Sequence, residues 1–177
     1  MLKVPAKYGI NNETRRRIEE QGFMCLSDSD VVELNYWLRL APAICLTWMT
    51  IGVVQASPSI IFALAPFAAL GGIMRGHPFD VIYNLGLRHI FHTREIPAYG
   101  TPRRLTFLLA SVMLTLMASA FYLGYSAVGY VVGALMIASG ASLVATGLCM
   151  PARIYGRVFG DPKCEERDPR SELSSVG

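Results

Sequence analysis

No carboxylate interrupts any of the long apolar runs in this 177-residue chain, and only 16% of its residues are charged. A proton or ion relay through a bilayer therefore has no evident carrier. Serine-centred nucleophile motifs, a P-loop and a dinucleotide fingerprint are all missing. The four cysteines, Cys25, Cys45, Cys149 and Cys164, form neither a CxxC pair nor a zinc-type spacing, which speaks against a disulfide framework. The opening MLKVPAKYGINNETRRRIEE lacks the apolar stretch that a cleaved signal peptide needs. No basic run is interleaved with aromatics, so nucleic acid is not an expected partner.

What is present is apolar. Hydrophobic residues make up 53% of the chain, more than a soluble domain carries. They fall in four runs, about 37–55, 58–74, 105–125 and 126–150. A crossing of the ~30 Å hydrocarbon layer takes about 20 residues, so 58–74 is short, and Pro66 inside it predicts a kink. A soluble bundle would show a polar stripe along each helix, and none of the runs has one. The expected fold is all-α, a four-transmembrane-helix bundle with an amphipathic interfacial helix between helices 2 and 3. This membrane domain covers 31–160, between an N-terminal extension at 1–30 and a charged, proline-containing tail at 161–177 whose composition predicts mobility.

Local signals refine the picture. Asn12 or Thr14 is placed to cap a short helix through Glu20 that ends at Gly22. Ser27 to Asp30 reads as an N-cap cluster for the helix that follows, VVELNYWLRLAP. Trp37 fits an interfacial aromatic belt, Arg39 is expected to snorkel to the headgroups, and Arg103 and Arg104 to anchor the third span. All 16 basic residues lie before or at the start of the first run, between the second and third, or after the fourth. With four crossings these segments share one side, which the positive-inside rule makes cytoplasmic. The expected location is the inner membrane, with both termini in the cytoplasm. Gly129, Gly133, Gly140 and Gly147 line one face of the fourth run, the first pair as GxxxG, and predict close helix packing.

All three histidines lie in one segment, RGHPFDVIYNLGLRHIFHTREIPAYGTPRR, between the second and third runs. His77-Pro78-Phe79-Asp80 reads as a helix start, with proline at the first position and a carboxylate in the first turn. His77, Asp80 and His89 form a candidate metal set of two imidazoles and a carboxylate. Asp80 and His89 stand nine residues apart, about 13 Å along a straight helix, so another segment would have to complete the site. The alternative is that Asp80 caps its own helix. Cys149, at the end of the fourth run, is the candidate reactive thiol, whereas Cys45 reads as a small apolar residue within the first run.

The run GHPFDVIYNLGLRHIFHT, the Pro-Arg-Arg that opens the third run and CMPARIYGRVFG resemble a bacterial membrane family known only as a domain of unknown function, family 4395. The resemblance spans roughly residues 33–160 and implies a four-helix integral membrane protein with no established activity. Some members of that family carry a second cysteine three residues after the position of Cys149. Here that position is Ala152, which weakens a thiol–disulfide or quinone-linked role. The expected function is a non-catalytic accessory or assembly subunit of a larger membrane complex, its partners the lipid bilayer and other membrane subunits. The alternative is a redox or metal-binding protein with its site at the cytoplasmic interface, and no cofactor is named by the residues. A small transporter ranks third, for want of an intramembrane charge or an inverted repeat.

Overall fold

Proline and glycine punctuate the chain where its helices begin and end, and every regular element among the described residues is helical. The computed structural model describes residues 12–23, 26–74, 76–91 and 93–160. Expectations that rest on 1–11, on 161–177 or on Cys25, His92 and Cys164 lie outside them.

Helix α1 (Asn12–Glu20) is held by ion pairs four residues apart, among them Arg16–Glu20 at 3.0 Å. The chain then turns at Gly22 with a φ of +89°, a backbone that suits glycine. A Cβ there would lie 3.1 Å from the Gly100 Cα, so this turn seats directly on the loop before the third long helix. Helix α2 (Asp28–Leu34) starts with the capping box that its sequence predicts, Ser27 and Asp30 bonding each other's backbone amides. The helix expected to continue from it breaks at Asn35 and resumes through a 3₁₀ turn, Trp37–Arg39, into α3 (Leu40–Val54).

Helix α4 (Pro58–Ile73) has proline in its first turn and Pro66 inside it. Its 16 residues reach about 24 Å, less than the ~30 Å hydrocarbon layer. After a bend of 76° the chain runs on as Pro78–Phe91. This is the amphipathic helix expected between the second and third runs, built as α5 (Pro78–Ile82), a π-helical turn (Tyr83–Leu87) and α6 (Arg88–Phe91). Then come α7 (Thr101–Tyr122), α8 (Ser126–Thr146) and α9 (Met150–Phe159). Three helices are long and apolar enough to cross a membrane, Trp37–Val54, Thr101–Tyr122 and Ser126–Thr146, or four if the bent pair is one span.

Two boundaries depart from expectation. Helix α7 begins four residues earlier than the apolar run, which puts Arg103 and Arg104 inside its first turns. The last run does not continue to residue 150. It stops at Thr146, where Gly147 takes a left-handed φ of +73°. Pro151, read from sequence as a terminator, instead stands in the first turn of α9, where its missing N–H costs nothing.

The bundle packs α4 along α7, α3 against α8 and α4, and α7 against α8. Its core holds Met49, Ile61, Leu64, Leu114, Met117 and Phe121. A second core, built from Ile18, Phe23, Leu34, Leu38, Tyr83 and Tyr99, joins α1 and α2 to the 93–100 loop and the π turn. Gly72 is where α4 and α7 come closest, since a Cβ there would lie 2.5 Å from Leu108 Cγ and 2.9 Å from the Arg104 carbonyl. Overpacking of this kind costs typically 1–3 kcal/mol. Gly72→Val is therefore expected to lower the unfolding midpoint in detergent by about that much. Gly86→Ala, with no atom within 4 Å of the new carbon, should leave the midpoint within about 0.5 kcal/mol of wild type.

Candidate functional site

Helix ends leave carbonyls without intrahelical partners, and arginines answer this need throughout the protein. The last carbonyls of α8 are taken one after another. Arg39 donates to Val144 and Ala145, each at 3.0 Å, Arg17 donates to Thr146 at 2.7 Å, and Gln21 to Gly147 at 2.8 Å. Arg104 does the same for α4 through Gly72 and Ile73, at 3.0 Å each. A cation at a helix C-terminus also meets the negative end of the dipole. Arg39 and Arg104, expected at lipid headgroups, thus spend their donors on the protein itself. Trp37, the expected aromatic anchor, packs its ring against Tyr83 and Phe91 at 4.8 and 5.3 Å.

Arg103 is the larger departure. Instead of anchoring at the interface it is 5% exposed. Its guanidinium carbon lies 4.5 Å from the Phe23 ring centre and 4.6 Å from that of Tyr99. Nη1 donates to Gln21 Oε1 at 2.7 Å and Nη2 to the Leu38 carbonyl at 2.8 Å. Nε has no hydrogen-bond partner among the described residues. Desolvated cation–π contacts are worth about 2 kcal/mol and hydrogen bonds to a charged group about 1.5–3 kcal/mol each. Together they offset a burial penalty of several kcal/mol per ion. Tyr99 extends the cluster by donating its hydroxyl to Asp80 Oδ2.

His77 and Asp80 are brought together, as helix caps. Asp80 Oδ2 accepts from the His77 amide at 3.4 Å, and His77 Nδ1 accepts from the Phe79 amide at 3.4 Å. With Nδ1 accepting, the proton of the neutral ring belongs on Nε2, which faces Cys45 Sγ at 3.7 Å. The ring is fully buried, with Phe107 at 4.8 Å and Phe79 at 5.0 Å. Gly71 leaves room for it, since a Cβ there would come within 2.6 Å of the imidazole. His89 does not join them. It is exposed on α6, beyond the π turn, and among the described residues no three His, Cys, Asp or Glu side chains converge as a metal set. The metal set drawn from the sequence is therefore not assembled here, because the helix carries His89 away from its own start.

The glycines of α8 act inside the bundle. A Cβ at Gly129 would strike the Phe121 ring at 2.8 Å, at Gly133 Val53 at 2.9 Å and at Gly140 Leu46 at 3.2 Å. Gly147 is instead the left-handed cap beside Arg39. Cys149 is buried ahead of α9 with Thr106 Oγ1 at 3.9 Å. It shares the wall of an apolar cavity of about 200 Å³ with Cys45 and Arg103. Sequence reasoning missed Gln21, Phe23 and Tyr99. The only signal for Tyr99 was an aromatic residue set among Pro97, Gly100 and Pro102, directly before two arginines.

These features define a class, an all-helical protein with membrane-length apolar helices and a buried polar cluster beside their ends. Within that class the chain belongs to the family described as domain of unknown function (DUF4395), which matches residues 35–159. No curated protein and no solved structure matches it.

Burial, reinforced by the Arg103 charge, pushes the His77 imidazole down from 6.5 to about 4. Burial raises the Asp80 carboxyl above its usual range, against the opposing pull of Tyr99 and Arg103. His77 stays neutral in the folded protein while the unfolded chain takes up a proton near pH 6.5, so its stabilising contribution is complete above that pH. It is lost as pH falls toward 4. The shift corresponds to on the order of 3 kcal/mol. The unfolding midpoint in detergent is expected to drop between pH 6.5 and 4, and His77→Gln should flatten that decline. An equally steep decline in the variant would contradict the assignment to His77.

Proposed function

We propose that the chain is a four-span protein of the bacterial inner membrane with both termini in the cytoplasm, serving as a non-catalytic accessory or assembly subunit of a larger membrane complex. The observation that carries the reading is the coverage of α8. Within the chain, 11% of its most apolar window is buried, compared with 22% for Thr101–Tyr122 and 33% for Trp37–Val54. Its glycines already serve Phe121, Val53 and Leu46, while Val128, Val131 and Leu135 remain exposed. Helix association in a bilayer relies on close packing, and this face is the largest one left for it. The arginine-laced cap supports the orientation, since Arg39, Arg103 and Arg104 lie at ends that the positive-inside rule assigns to the cytoplasm.

A second reading, a redox or metal protein at the same interface, draws support from Cys45 and Cys149 on one cavity wall. Stoichiometric metal or chromophore in the purified protein would favour it over the subunit reading.

A photo-crosslinking amino acid in place of Leu135, activated in cells before mild extraction, is expected to yield a discrete adduct with another membrane protein. Adducts to lipid alone, from a protein that migrates as a lone monomer, would end the subunit reading. In a background without native cysteines, Ser57→Cys is expected to label with an impermeant reagent from outside the cell. Protection of that site until the membrane is broken would overturn the orientation.

A further inference from the structure

The cavity beside Arg103 has no role in the subunit reading and stands apart from it. It lies among α3, α4, α7, α8 and the start of α9, and its volume is about 200 Å³. Met49, Leu64, Met113 and Met136 supply apolar wall, and Arg103 the charge. Met113 follows Arg103 by ten residues on the same helix, about 15 Å at 1.5 Å per residue. The charge therefore belongs to one end of the space and the methionines to the other, an amphipathic arrangement.

Arg103 is incompletely answered by the protein. Its two terminal nitrogens have acceptors, but the Nε–H has none, and among the described residues no carboxylate is in ion-pair contact with it. Asp80 meets it only through Tyr99, which stacks on the guanidinium and bonds the carboxylate. A buried cation without a directly paired anion is a strong attractor for one. A guanidinium fork matches a planar carboxylate. A phosphate dianion would bring two charges to a single cation within apolar walls. An apolar cavity of roughly 150 Å³ is known to hold benzene, so this space accommodates one ring with a small head.

We propose that the cavity is a binding site for a small monocarboxylate with an apolar body about one ring in size, its carboxylate on Arg103 and its body against the methionines. The test uses the full chain in lipid nanodiscs, titrated calorimetrically with benzoate, benzyl alcohol and inorganic phosphate. Benzoate is expected to bind at least tenfold more tightly than benzyl alcohol, and phosphate not to bind. Arg103→Lys keeps the charge but loses the fork, and should weaken benzoate at least tenfold. Because that variant also touches the packing, Ala110→Phe provides a second arm. Ala110 lines the cavity on α7, two turns from Arg103, and its replacement should abolish benzoate binding while the thermal midpoint is retained. Equal affinity for benzoate and benzyl alcohol, no benzoate binding, or benzoate binding undiminished in Ala110→Phe would each overturn the proposal. None of these outcomes bears on the crosslink at Leu135.

Discussion

Backbone carbonyls at the ends of apolar helices need donors, and this constraint organises the cap of the protein. Water is scarce beside such ends, and an unanswered polar group is costly there. Arginine is suited to the task because one planar side chain reaches two or more acceptors while its charge complements the dipole. Arg39, Arg17 and Gln21 close α8, and Arg104 closes α4. The segments that supply these donors are thereby pinned onto the bundle. Helix α1 is short and strongly charged, so its position depends on Arg17 and Gln21 reaching α8 and on the Arg153–Glu20 pair reaching α9.

Gln21 links the two halves of the structure. Its amide nitrogen holds the Gly147 carbonyl and its oxygen holds Arg103. Through Arg103 the link continues to Tyr99 and Asp80, which fixes the start of α5. A disturbance at the end of α8 is thus felt at the His77 turn through a continuous set of hydrogen bonds and ring contacts. The bundle core, in contrast, is made by size and shape alone. Ile61, Leu64 and Met117 fill the centre, and glycines admit the larger side chains opposite them.

Much of the local architecture is legible in the order of residues. The Ser27–Asp30 capping box, the stop at Gly22 and the helix start at His77-Pro78 are all short-range effects, decided by side chains within three or four residues of the groups they satisfy. The apolar helices are equally plain, because runs of that length without a charge have no polar face to turn toward water. Pro151 misled because proline is compatible both with ending a helix and with beginning one, and only the left-handed turn at Gly147 separates these outcomes. The histidine segment misled for a different reason. Spacing describes neighbours along a helix, whereas the groups that engage His77 and Asp80 come from Cys45 and Tyr99, far away in the chain.

Taken alone, the amino-acid order determined an all-helical chain, the approximate extent of its apolar helices, the glycine-lined face of α8 and the gathering of basic residues into three segments. Those properties follow from composition and from contacts a turn or two apart. Only the tertiary structure decided that Arg39 and Arg104 close helix ends, that Arg103 lies buried between two aromatic rings, and that Cys45 and Cys149 face one cavity. Each of those depends on side chains from elements up to a hundred residues apart arriving at one place. Long-range packing sets that meeting, and no local pattern records it.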